Sequence, residues 1–173
     1  MIEFITNTEI YEKVLLKMIS NANSFVWIGT ADLKDLHVKK QRKFVPFLEI
    51  FADLVKRGVA VRLIHAKEPG PAFRNDFDRY PVLASGIERL LCPRVHFKCV
   101  IVDGITVYSG SANLTGAGMG ARNENKRNFE SGFISDDKQI VQAVMEQFDK
   151  VWMGAFCDNC YYKSDCGDKP END

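Results

Sequence analysis

The chain has 173 residues, 46% of them hydrophobic and 27% charged, which suits one soluble domain with a core that needs no staples. Its 23 Lys and Arg balance 23 Asp and Glu, so the molecule as a whole is no magnet for polyanions, and phosphate binding has to come from local basic clusters. No apolar run reaches the length of a membrane span, and Met1-Ile-Glu-Phe4 does not start a secretory leader, so the cytoplasm is the default location.

In chain order, Ile2–Phe4 is a short strand candidate, and Thr6 or Asn7 can cap a helix running to about Ser20. Residues 24–30 form a strand of buried character. Phe44, Phe47, Leu48, Phe51, Leu54 and Val55 repeat at helical spacing, which predicts an amphipathic helix over 44–55, with Gly58 where a C-cap glycine belongs. Residues 59–65 read as the next strand, ended by Pro69-Gly70-Pro71. A short helix over 77–84 and a strand over 86–91 follow. A strand over 94–103 then pairs with 105–109 across an Asp103-Gly104 turn. Phe133 and Ile134 mark a last strand. Ser135 can cap a final helix with the stripe Val141, Val144, Met145, Phe148, Val151 and Trp152. Alternating strands and helices predict an α/β sandwich, a mixed β-sheet between helical layers. Residues 1–154 are expected to form the catalytic domain and 155–173 a cysteine-containing C-terminal tail.

The most informative stretch is His96-Phe-Lys98-Cys-Val-Ile-Val-Asp103, followed by Gly110, Ser111 and Asn113. Alternate side chains of a strand share a face, so His96 and Lys98 point the same way and Asp103 the other. A lone His and Lys in an apolar run cost free energy unless they have a partner or a task. A satisfied core histidine beside a snorkelling lysine is the plain alternative, and five polar positions at fixed offsets weigh against it. Chemically, an imidazole can attack phosphorus, while Lys98, Ser111 and Asn113 supply donors for charge developing on phosphoryl oxygens. No cluster of carboxylates with divalent-ion spacing lies near the motif, so this chemistry calls for no metal.

The spacing H-x-K-x4-D-x6-G-S-x-N resembles the signature of the phospholipase D superfamily, and each position is matched. The resemblance implies that superfamily's fold and phosphodiester chemistry through a phosphohistidine. The family builds its site from two motif copies. Here His65-Ala-Lys67 begins like a second copy, but Ala72 stands where the Asp should be. The chain therefore carries half a site, and the resemblance implies a two-fold homodimer with two His96 side chains at one phosphate. It also points to an acidic residue soon after the G-S-x-N segment, matched by Glu130, as the group that orients His96. Asp103 completes the motif as an acid that braces the strand turn.

Residues 34–43 carry five Lys or Arg and also His37, and residues 122–127 are a second basic stretch; each is either a phosphate-tracking rim or a solvated charged loop. Cys157, Cys160 and Cys166 form C-x2-C-x5-C, and Cys92 is the natural fourth ligand of a structural zinc or iron–sulfur site; free or disulfide-linked thiols are the alternative. Cys99 reads as core. Three functions remain open at this level: a metal-independent nuclease, a phospholipase or phosphatidyltransferase acting on phospholipid, and a phosphate-binding module without turnover.

Overall fold

The computed structural model describes residues 1–164 and 166–168; residues 165 and 169–173 of the expected tail lie outside the described residues. The strands are β1 (Ile2–Thr6), β2 (Phe25–Thr30), β3 (His37–Lys40), β4 (Lys43–Pro46), β5 (Ala60–His65), β6 (Ile87–Leu91), β7 (Lys98–Val102), β8 (Thr106–Gly110) and β9 (Ser131–Ser135). A π-wound helix spans Ile10–Ile19, and the α-helices are α1 (Leu48–Lys56), α2 (Pro71–Asp78), α3 (Val82–Gly86) and α4 (Lys138–Trp152).

One sheet has the order β1-β9-β8-β7-β2-β5-β6, while β3 and β4 pair separately as a hairpin. β2, β5 and β6 run parallel and the other neighbours antiparallel, so the sheet is mixed as expected. Its two faces follow from period-two side chains. Val100 and Val102 of β7 enter one core with Val14 and Leu15 of the π-wound helix and Phe51 and Leu54 of α1. Cys99 and Ile101 enter a second core with Val141 and Phe148 of α4. All five residues of β7 are buried, and each large apolar side chain so enclosed contributes about 1.5–3 kcal/mol. The strand carrying the motif is thus among the best-anchored parts of the molecule.

Several boundaries differ from the sequence reading. The helix expected over 44–55 starts only at Leu48; residues 43–46 are β4, and Phe44 is 70% exposed. Hairpin pairing with β3 wins over the helical stripe because Gln41 and Arg42 take left-handed φ values of 46° and 69°, closing a tight turn. Gly58 does end α1: at φ 82° it lets its own N–H reach Val55 O and the Val59 N–H reach Leu54 O. The single helix expected over 77–84 is two, because Pro71 starts α2 and Pro81 separates it from α3. Ser135 does not cap the last helix. Asp137 does, accepting from the N–H groups of Gln139 and Ile140, while Ser135 Oγ accepts from Asp137 N–H. Neither Thr6 nor Asn7 caps the first helix with its side chain: Glu9 reaches back to the Thr6 N–H, and Asn7 Oδ1 holds the Glu130 N–H.

Candidate active site

The motif strand is shorter than expected. β7 begins at Lys98, and His96 lies just before it, exposed rather than buried. The pairing of Gly29 with Cys99 sets the start of β7 beside the end of β2, and Lys98 pairs across to Gly110, which in turn pairs with Gly132. One end of the sheet therefore gathers His96, Lys98 and the G-S-x-N segment. Gly110 is required by close approach: a Cβ there would stand 2.5 Å from Ser131 O.

His96 and Lys98 do share a side. Lys98 Nζ is 3.1 Å from His96 Nδ1 and donates to His96 O at 2.6 Å. The lysine is 8% exposed, and this burial lowers its pKa from the ordinary lysine value, with Glu130 pulling the other way. Ser111 Oγ donates to the Glu130 carboxylate, and the Ser131 N–H donates to Ser111 Oγ at 3.1 Å. Glu130 Oε1 also accepts from Asn128 Nδ2 at 3.0 Å. Glu130 thus reaches the site but bonds Ser111 and Asn128, with no hydrogen bond to His96 among the described residues.

Asn113 has a structural bond that the sequence did not announce. Its Oδ1 accepts from the N–H groups of Ala31 and Asp32, both at 3.1 Å, so it ties the loop after β2 to the motif. Thr30, buried at 1% exposure, completes this tie by accepting from the Leu114 N–H at 2.9 Å. No short-range sequence signal marks Thr30, since its partner is distant in the chain. Asp103 is the structural acid the spacing suggested: at φ 56° in the β7–β8 turn, it accepts from the N–H groups of Asn23, Ser24 and Phe25. Burial opposes the charge on Asp103, but these backbone donors hold its carboxyl below the usual value. His65 is buried, with Nδ1 2.8 Å from Lys67 O and Nε2 unpartnered, so the partial second motif turns back on itself.

The basic stretches take different forms. Residues 34–43 run into the β3–β4 hairpin, where Lys39, Arg42 and Lys43 are exposed while Lys40 is bound to Glu49 and Asp53. In the second stretch, Arg127 donates to Thr8 Oγ1. Of the cysteines, Cys99 is core, its thiol pushed up to about 12 by burial. Cys157 is pushed up by burial and by its neighbours Cys166, Cys92 and Cys160. Among the described residues no three His, Cys, Asp or Glu side chains are drawn together closely enough to hold a metal ion.

Residues 15–152 match the family model for the cardiolipin synthase, PLD-like domain. The chain belongs to the phospholipase D superfamily. It is 26% identical over 105 residues to the mitochondrial cardiolipin hydrolase of Chlamydomonas reinhardtii, covering 60% of this chain. It is 36% identical over 58 residues to the mitochondrial cardiolipin hydrolase of Xenopus tropicalis, covering 34%. The matched stretches span 44% and 25% of those relatives' lengths. The fold is like that of the phospholipase D family member Nuc from Salmonella typhimurium, with TM-score 0.62 and 18% identity over 88% of this chain and 94% of Nuc. NucT from Helicobacter pylori is similar at TM-score 0.60 and 16% identity, over 88% of this chain and 97% of NucT. Among the described residues of this superfamily member, no helix is long and apolar enough to cross a membrane.

Proposed function

We propose that the chain is a metal-independent phosphodiesterase whose site is shared by two copies and whose substrate is nucleic acid. The observation that carries this reading is the His96–Lys98 pair, an exposed imidazole 3.1 Å from a buried ammonium, with Ser111 and Glu130 beside it. In the reaction, His96 Nε2 attacks phosphorus. A P–N bond forms while the bond to the leaving oxygen breaks, and the protonated His96 of a second copy gives that oxygen its proton. Water then attacks the phosphohistidine, the second imidazole takes its proton, and the P–N bond breaks. Lys98, Ser111 and the Asn113 amide neutralise charge on the phosphoryl oxygens, a task that needs no metal.

Attack through Nε2 requires the His96 proton on Nδ1. In the single chain Lys98 faces Nδ1 and Glu130 bonds Ser111. We read this as a resting arrangement: pairing with a second copy and with substrate turns Glu130 to His96 Nδ1 and leaves the Ser111 hydroxyl to the phosphate. Phe129, next to Glu130 and 96% exposed, is the aromatic that such pairing covers. Residues 1–154 carry the chemistry and the tail braces them. Five free thiols suit a reducing compartment such as the cytoplasm.

Nucleic acid is favoured over lipid by the exposed basic hairpin, whose Lys39, Arg42 and Lys43 suit a phosphate backbone. A second reading, hydrolysis of phospholipid, is favoured by the relatives named cardiolipin hydrolases. The test is the pure protein in chelator, assayed on single- and double-stranded DNA and RNA and on cardiolipin vesicles. Cleavage of a nucleic acid, with His96→Ala still binding it but not cutting, is the expected result. Turnover of cardiolipin with every nucleic acid intact would move the assignment to lipid, and binding without turnover of any substrate would leave a phosphate-binding module.

A further inference from the structure

Four of the five free cysteines meet where the chain leaves the sheet and where it ends. Cys92 follows β6, its N–H donating to His65 O at 2.9 Å. After α4 the chain doubles back in single turns, with Cys157 N–H on Gly154 O at 2.9 Å and Cys160 N–H on Cys157 O at 3.2 Å. The C-x2-C pair therefore spans one tight turn. Cys166 Sγ lies 3.7 Å from the carbonyl oxygen of Leu91, the residue before Cys92. Cys92, Cys157 and Cys160 line one cavity of about 250 Å³, walled on its apolar side by Phe97, Val151 and Phe156.

We propose that Cys92, Cys157, Cys160 and Cys166 are the ligands of one zinc ion, which fastens the C-terminal segment to the β6–β7 connection. Three thiols on one cavity, with Cys166 against the residue before Cys92, supply the four-thiolate donor set that zinc takes in closed structural sites, and a C-x2-C turn is the usual half of such a site. The segment has a need for such a fastening. From Met153 to Asp168 the described residues form turns and no helix or strand, and Tyr161 is 90% exposed, so little apolar burial holds it down. Zn–S bonds of about 2.3 Å would draw the four thiols closer together than this arrangement sets them. Binding and ordering of the tail are then one event. Because Cys92 is four residues before His96, the ion also fixes the approach to the imidazole. That consequence alone rests on the function proposed above, and the site itself does not.

The experiment is elemental analysis and intact-mass measurement of the full chain purified without added metal, followed by chelation and titration with cobalt(II). One zinc per chain is expected, with four thiols protected from alkylation until the chelator removes it. Cobalt(II) should then give thiolate-to-metal absorption at one equivalent, and Cys160→Ser should hold no metal. Because that variant can fail for want of folding, the wild-type titration decides. Metal near zero with no cobalt absorption would overturn the proposal, and so would a mass two hydrogens lower for each disulfide formed. Iron together with inorganic sulfide would also overturn it, in favour of a cluster. None of these readouts uses turnover, so this site and the proposed chemistry fail separately.

Discussion

At the scale of single residues, Lys98 and Asp103 sit in one motif and do opposite things. Lys98 is a buried ammonium whose bonding partners among the described residues are the carbonyl and imidazole of His96, so it costs the fold stability. Lys98→Met should abolish phosphodiester cleavage and leave the melting temperature equal or higher; a drop of several degrees would show that the ammonium stabilises the fold. Since burial lowers the Lys98 pKa from 10.5, cleavage should fall as pH rises through a value below 10.5, a limb that Lys98→Arg moves to higher pH. Asp103 is the reverse case. Its folded pKa lies below 3.8, so its contribution is fully present above pH 3.8 and is lost as pH falls through the folded value. Asp103→Ala strips an acceptor from three N–H groups and should cost about 1–3 kcal/mol in denaturant titration at neutral pH. Asp103→Asn keeps an acceptor and tolerates the left-handed backbone, so it should cost less; equal losses would refute the bracing role. The motif pattern was legible in sequence because chemistry imposes fixed offsets. The double use of Glu130 and Asn113 was not, because their partners are set by contacts that no spacing records.

At the scale of elements, tertiary pairing overrode local pattern in the same way twice. The stripe from Phe44 to Val55 reads as one helix, yet its first turn is strand, because β3 lies alongside and the turn at Gln41-Arg42 permits it. At the other end, Ser135 stands at a plausible cap position, but β9 runs through it to pair with Ile2 and leaves the capping to Asp137. Asp137→Ala should therefore destabilise the protein by about 1 kcal/mol through the lost cap, whereas Ser135→Ala removes the support behind the cap and the Oγ bond to Met1 O. An unchanged thermal melt for Asp137→Ala would refute that assignment.

At the scale of the whole molecule, the proposed two-histidine reaction needs a second copy, because each chain supplies one His96. Sedimentation of the active protein should give twice the chain mass, and Phe129→Asp should shift it toward monomer and lower activity in proportion. A fully active monomer would remove the shared-site mechanism. The superfamily and the mixed α/β architecture were determined by the sequence alone, since apolar alternation sets which strand faces are buried and phosphoryl chemistry sets which polar residues recur. Only the tertiary structure decided that His96 stands exposed ahead of its strand, that Glu130 rests on Ser111, and that Asn113 holds the backbone of Ala31 and Asp32. Those are contacts between residues far apart in the chain, selected by packing and hydrogen-bond geometry that no local pattern encodes.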